Sequence, residues 1–235
     1  MRIENVNALV TGGSSGIGLE TARQLKAKGA NVVICGRDPA RIEEAAGEIG
    51  AFGIAADVSV EADVVRLVQT VIERFGRYNT LINNAGFGIF APLVDMELTA
   101  MQRVFATNVF GATLVARESA RHFVAQQYGN IVNVSSSAGK RGYAGGTAYA
   151  ASKFALSGLT ECWRAELRRS NVRVMQINPS EVQTEFRGRS GRPTPPHSDR
   201  KLVASDIAQA IVSMLEMEDR GFVTEVSVWA TNPEG

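Results

Sequence analysis

Tyr149 and Lys153 stand four residues apart, so a helix through them presents a phenol and an ammonium side by side on one face. That pairing can do acid–base chemistry. A free tyrosine titrates near ~10. A unit charge ~4 Å away at an effective dielectric of ~20 is worth roughly 4 kcal/mol, enough to lower a pKa by about three. The spacing therefore predicts a phenol brought to around 7, where proton transfer by a side chain is most effective. A Tyr-x-x-x-Lys pair alone occurs in many helices with no chemistry, so its surroundings must carry the reading. Upstream lie the apolar run 131–134, the serines Ser135, Ser136 and Ser137, and a loop with Gly139, Gly142, Gly145 and Gly146. Thr147 follows as a cap. The order predicts a buried strand, a hydroxyl-rich turn and then the helix that carries the pair.

A second constellation lies near the start. The apolar run 6–10 leads at once into Thr11, Gly12, Gly16 and Gly18, with Ser14, Ser15 and Ile17 between them. Glycines let a backbone turn tightly after a strand and approach a pyrophosphate closely. A helix beginning near Gly16 would aim its free amides and positive dipole end at that anion, with Ile17, Ala22 and Leu25 turned inward. A strand before and a helix after set this motif apart from an ordinary glycine-rich turn.

The run 31–35 predicts the next strand. Dinucleotide sites that take NAD place an acidic residue ~20 positions beyond the glycines to hold the ribose 2′-hydroxyl. Here Gly36 and Arg37 stand in that place, and Asp38 with Pro39 reads as a helix N-cap and first turn. A guanidinium suits a 2′-phosphate, so the sequence favours NADP(H) over NAD(H). Strand 51–55 leads to Asp57, which either accepts from an adenine amino group or caps the helix over 60–75. Strand 79–82 ends in Asn83, Asn84, Ala85 and Gly86, suited to close packing on a cofactor or to a plain tight turn. A helix is expected over 98–126. Asn108 lies inside it where an apolar residue would be expected, and serves either as a structural bridge or as a holder of water.

After strand 172–177 and Asn178–Pro179 the texture changes. The stretch 180–203 carries Arg187, Arg189, Arg192, Arg200, Lys201, Gly188, Gly191, Pro193, Pro195 and Pro196. It is too long and broken for packed core and is expected to be a mobile flap over the substrate or disordered. Its charge would attract an anionic substrate, or be a solvated loop. A helix over 205–215 and a strand over 222–229 complete the chain. Strands alternate with helices without a composition break, so the expected fold is α/β. It is a doubly wound, Rossmann-like parallel sheet of about seven strands with helices on both faces, in one domain over 1–235.

A net charge of +1 gives no general attraction to nucleic acid or anionic membrane. No apolar run approaches the ~18 residues of a membrane span. The start carries Glu4 and two asparagines where a signal peptide needs a greasy core, so a cytoplasmic protein is expected. Cys35 and Cys162 cannot make a disulfide framework and read as buried thiols. His122 and His197 are isolated from other ligand-type residues, so no metal is expected.

Together these residues resemble the compact, single-domain branch of the short-chain dehydrogenases/reductases, over essentially the whole length. The pieces are Thr11–Gly18, Asp57–Val58, Asn83–Gly86, Asn108, the serine cluster, Tyr149–Lys153 and Asn178–Pro179 with Thr184. Each is modest, but their order and spacing are very specific. The extended branch usually has a different glycine spacing and a longer C-terminal domain. The resemblance implies a catalytic set of Asn108, Ser136, Tyr149 and Lys153, Ser136 being chosen because the family's serine precedes its tyrosine by thirteen residues. Tyr149 would donate the proton, Ser136 orient the carbonyl, Lys153 hold the nicotinamide ribose and Asn108 anchor a water.

Cofactor contacts would come from Gly12, Ser14, Ser15, Gly16, Ile17 and Gly18, then from Arg37, Asp57 and Val58. Further along they would come from Asn84, Ala85 and Gly86, from Tyr149 and Lys153, and from Pro179, Val182 and Thr184. Substrate would meet Ser136, Phe87, Tyr143 and Phe186, with Phe90 as a further wall or as core. The middle of the chain is similar to 3-oxoacyl-[acyl-carrier-protein] reductases, which makes reduction of a 3-oxoacyl thioester the first expectation. A sugar, polyol or steroid-like alcohol is the nearer alternative, and a silent NADP(H)-sensing protein the more distant one. Homodimers or homotetramers through helices 98–126 and 147–169 are common in the family. Two departures stand out: Ser180 replaces the usual glycine after Pro179, and the C-terminal stretch lacks a double glycine.

Overall fold

The computed structural model describes residues 1–193 and 196–232; Pro195 and the final residues 233–235 lie outside the described residues. The strands are β1 (Asn7–Thr11), β2 (Asn31–Gly36), β3 (Phe52–Ala55), β4 (Thr80–Asn83), β5 (Gly129–Val134), β6 (Val172–Pro179), β7 (Val182–Gln183), β8 (Leu202–Val203) and β9 (Glu225–Val228). The helices are α1 (Gly16–Ala27), α2 (Pro39–Ile49), α3 (Glu61–Phe75), α4 (Leu98–Phe105), α5 (Ala112–Ala125), α6 (Thr147–Leu167), α7 (Phe186–Arg189) and α8 (Ala204–Glu216).

Seven strands form one parallel sheet in the order β3-β2-β1-β4-β5-β6-β9. Successive side chains point to opposite faces, and both faces are covered, which is why these strands read as unbroken apolar runs. Val10, Ile34, Ile82 and Val132 pack with Ala22 and Leu25 of α1 and Ile207 and Ile211 of α8. Their neighbours Leu9, Val33, Leu81 and Ile131 turn the other way, against Val64 and Leu67 of α3 and Val115 and Phe123 of α5. The chain runs outward from β1 to β3 and returns to β4 on the other side of β1. The sheet is doubly wound, and a crevice opens beyond the strand ends where the order reverses.

Asp38 caps α2 as its sequence predicts, accepting from the amides of Ala40 and Arg41 at 3.1 and 3.2 Å. Other expectations are corrected. The helix over 98–126 is broken by a wider π-helical segment at Ala106–Gly111, a bulge of the kind found at functional sites. Cys35 is buried but Cys162 is exposed, because α6 turns that position outward. The stretch 180–203 is not without structure: β7 pairs with β8, and α7 lies between them. The last strand is Glu225–Val228, shorter than 222–229; Phe222 and Val223 pack against the core instead. Among the described residues no helix is long and apolar enough to cross a membrane.

Candidate active site

The turn after β1 is shaped by contacts that only glycine permits. Gly12 sits at φ 64°, and a Cβ on Gly18 would lie 2.4 Å from the Gly12 carbonyl oxygen. Thr11 and Asn84 lash this turn to the end of β4. The Thr11 hydroxyl accepts from the amides of Asn84 and Ala85, both at 3.0 Å. The Asn84 side chain donates to the carbonyls of Thr11 and Gly12 at 2.9 and 3.2 Å. Asn84 and Ala85 thus pack against the glycine turn, and with Gly86 they line the cleft. No side chain caps α1 at Ser15, in contrast to α2, so its first amides are left facing the crevice. An anion fits there without displacing a protein partner.

At the other end of the crevice, β5 delivers the serine turn and α6 delivers Tyr149 and Lys153. Ser136 accepts from the amide of Ala138 at 3.1 Å and faces the Tyr149 phenol. The Tyr149 ring lies between Phe90 and Phe186, at centroid distances of 5.6 and 5.4 Å. Lys153 is buried, and its ammonium donates to the Val134 carbonyl at 2.8 Å.

The electrostatics reverse the expectation drawn from spacing. Burial pushes the Tyr149 phenol up to about 12, only partly opposed by Ser136 and Arg192. Burial likewise lowers Lys153 to about 8. Side by side on the helix, the two still do not make a close pair: the ammonium is 5.8 Å from the ring centroid and turned to a backbone oxygen. Desolvation disfavours the charged form of each, and it outweighs an attraction at that range.

Asn108 makes a structural bridge. Its side-chain oxygen accepts from the Phe87 amide at 3.0 Å, and its nitrogen donates to the Phe87 carbonyl at 2.9 Å and to the Ser152 hydroxyl at 3.0 Å. Ser152 in turn donates to the Tyr149 carbonyl at 2.7 Å. The Asn108 side-chain amide thus ties the loop after β4 to the turn of α6 that carries Tyr149. Ser152 is a contributor that sequence reading missed; a small hydroxyl on the inward side of α6 was the available signal.

A cleft of about 410 Å³ joins the two ends, lined by Gly12, Ser14, Ser15, Gly16 and Ile17 on one side and Ser136, Tyr143, Tyr149 and Lys153 on the other. Phe87, Pro179, Val182, Thr184 and Phe186 also line it. Thr184 reaches within 3.4 Å of the position a Cβ on Gly16 would take, which closes the cleft over the start of α1. Ser180 serves where a glycine was expected. Among the described residues positive φ outside glycine occurs only at Gln127 and Asn171, and the Ser180 amide simply donates to Val228 at 2.9 Å.

Other expected cofactor residues stand apart from the cleft lining. Gly18 is buried in the packing of α1 on the turn. Arg37 is exposed just beyond β2, and no hydrogen bond or ion pair among the described residues engages it. The Asp57 carboxylate accepts from the amide and hydroxyl of Ser59 at 2.9 and 2.7 Å, closing the turn before α3 rather than capping the helix, which starts from Val60. Val58 is buried beneath Gly111. Among the described residues no group of His, Cys, Asp and Glu is arranged to hold a metal ion.

This fold with this cleft defines a dinucleotide-binding oxidoreductase architecture. The family model for short chain dehydrogenases matches residues 6–194, and the chain belongs to that family. It is 38% identical over 186 residues to the uncharacterized oxidoreductase YxnA of Bacillus subtilis, covering 76% of this chain and 52% of that one, about half the relative's length. It is 27% identical over 248 residues to an NADP-dependent 3-hydroxy acid dehydrogenase of Schizosaccharomyces pombe, covering 100% and 96% of the two. A metagenomic short-chain oxidoreductase solved in complex with NADP superposes with a TM-score of 0.84 at 32% identity, covering 97% of this chain and 99% of that one. A 3-ketoacyl-(acyl-carrier-protein) reductase from Brucella melitensis, solved with NADH, does so with a TM-score of 0.84 at 30% identity, covering 95% and 96%.

Proposed function

We propose that this protein interconverts a ketone and a secondary alcohol with NADP(H). The observation that carries the reading is one cleft with an uncapped helix N-terminus at one end and a desolvated phenol beside a serine hydroxyl and a lysine at the other. The glycine turn leaves room for a pyrophosphate, so a nicotinamide dinucleotide fits. When bound, it supplies the hydride. Tyr149 protonates the carbonyl oxygen in reduction and accepts the proton back in oxidation, while Ser136 fixes the direction of that oxygen. Lys153 holds the ribose from its buried place on α6. Asn108 acts through Ser152 by positioning the start of α6.

NADP(H) is favoured because the tip of β2 offers the unengaged Arg37 and no free carboxylate: Asp38 is occupied with its own helix cap. NAD(H) is the alternative, as in the NADH complex of the Brucella enzyme. Arg37→Ala should weaken NADPH by roughly 1.5–3 kcal/mol, the scale of a charged hydrogen bond, and leave NADH almost unchanged. Equal losses for both cofactors would sink this assignment.

The resemblance favours a 3-oxoacyl thioester as substrate, delivered on an acyl carrier. The proposed unit is a single cytoplasmic domain with the stretch 180–203 as substrate flap. Phe110 and Phe154, large apolar residues exposed on the helical stretches 98–126 and 147–169, support a homo-oligomer. The deciding experiment is NADPH consumption with a short 3-oxoacyl thioester, beside NADH and a Tyr149→Phe control. Turnover that prefers NADPH and vanishes in the variant supports the reading. Tight NADPH binding with no turnover on thioesters, other ketones or alcohols points to a cofactor-sensing protein.

A further inference from the structure

We propose that Arg192 recognises a substrate carboxylate, so that the cleft reduces short oxo acids and forms the matching hydroxy acids. This rests on the ketone–alcohol reading above and puts a free acid in place of its thioester as the substrate class. The charges along the flap decide it. Glu181 is matched by Arg187 at 2.5 Å and by Lys201 at 3.6 Å. Glu185 is matched by Arg189 at 2.5 Å and by Arg41 of α2 at 2.9 Å. Arg192 lines the same cleft, and among the described residues no carboxylate meets it.

Arg192 is nevertheless held in place. Its guanidinium lies over the Phe90 ring at 3.8 Å, its amide donates to the Arg187 carbonyl at 3.0 Å, and its Nε is buried without a partner. A planar cation stacked on a ring, with its fork unfilled, is prepared for bidentate pairing with a carboxylate. Order imposed before binding is also what lowers the cost of recognition.

The position selects substrate over cofactor. Phe90 packs against Tyr149, so the guanidinium sits beside the group that would protonate the carbonyl. The open amides of α1 lie at the opposite end of the cleft, among Ser14 to Ile17. A neutral ester or thioester would cover Arg192 and leave a charged donor unpaired, which is costly away from water. In the proposed step hydride adds to the carbonyl carbon, the Tyr149 proton goes to the oxygen, and the carboxylate is unchanged. It serves only as the handle.

The test compares α-, β- and γ-oxo acids of short chain with their methyl esters and a 3-oxoacyl thioester, using NADPH and the wild type, R192Q and R192K. At least one acid should exceed its ester in kcat/KM. R192Q should lower that acid-to-ester ratio roughly ten- to hundredfold, the scale of a charged hydrogen bond, with R192K in between. An unchanged ratio in R192Q, or wild-type indifference to the charge, overturns the proposal. So does a loss of NADPH affinity in R192Q that accounts for the whole effect, because Arg192 would then be a cofactor contact. If no ketone is reduced, it is the ketone–alcohol reading that fails. Calorimetric titration of the NADPH-loaded protein with hydroxy acids and their esters then decides recognition. Acid-selective binding that is lost in R192Q upholds it, and its absence overturns it.

Discussion

The two walls of the cleft are held by different forces. The wall made by β1, β4, β5 and α6 is fixed by buried and half-buried hydrogen bonds: Thr11 and Asn84 clamp the glycine turn, and Asn108 and Ser152 hold Phe87 to α6. The facing wall, from Glu181 to Arg192, is held by ion pairs at the surface, with Glu185 bridging Arg189 and Arg41. Breaking a buried hydrogen bond leaves a stranded polar group and costs about 1–3 kcal/mol. An exposed ion pair is worth about 0–1 kcal/mol. The wall proposed to do chemistry is therefore fixed, and the wall proposed to choose the substrate is cheap to rearrange.

The largest expected effect tests the fixed wall directly. Tyr149→Phe keeps the ring between Phe90 and Phe186 but removes the proton, and kcat should fall ~10²- to 10⁴-fold while NADPH affinity measured by fluorescence is retained. A variant with wild-type turnover would break the assignment. Next, Asn108→Ala strands the amide and carbonyl of Phe87 and removes the donor to the Ser152 hydroxyl. Urea unfolding should show a loss of about 1–3 kcal/mol, with turnover reduced as well. Stability equal to wild type would mean that the bridge does not hold the wall.

Lys153 gives a test in pH. Burial lowers its folded pKa to about 8 from the ordinary lysine value of 10.5, so between these the unfolded chain binds the proton and the folded one does not. Stability contributed by this group rises with pH across that window and is lost as pH falls through 8. Lys153→Met removes the slope, so wild type should gain on the variant as pH climbs from 8 to 10. Parallel curves would show that the buried ammonium is not penalised. Tyr149 acts oppositely and higher: its raised pKa makes stability fall between 10.0 and about 12.

The smallest effect belongs to the facing wall. Glu185→Gln releases Arg41 and Arg189, yet unfolding free energy should change by less than about 1 kcal/mol and the difference should vanish in high salt. A loss as large as that of Asn108→Ala would erase the contrast between the walls.

Much of the architecture was legible because it depends on local pattern. Apolar runs with both faces covered, a glycine turn between strand and helix, and Asp38–Pro39 at a helix start each have a short-range cause, and all are present. Less legible was the π segment at Ala106–Gly111, whose side chains read as ordinary helix. Its buried Asn108 finds partners 21 and 44 positions away. Nor could composition separate Arg192 from its neighbours. Arg187, Arg189 and Lys201 share the flap with it, and only their distances to Glu181 and Glu185 show that these three are matched.

The amino-acid sequence by itself determined that a phenol and an ammonium would share one helical face after a buried strand and a serine-rich turn, because helical spacing fixes who shares a face; the choice of Ser136 rested on the family resemblance. Tertiary structure alone decided the state of those groups. Whether a lysine lowers a tyrosine's pKa depends on how deeply each is buried and where the ammonium points. Here burial raises the phenol, and Lys153 is turned to the Val134 carbonyl. Spacing is a property of the chain, whereas desolvation is a property of everything packed around it.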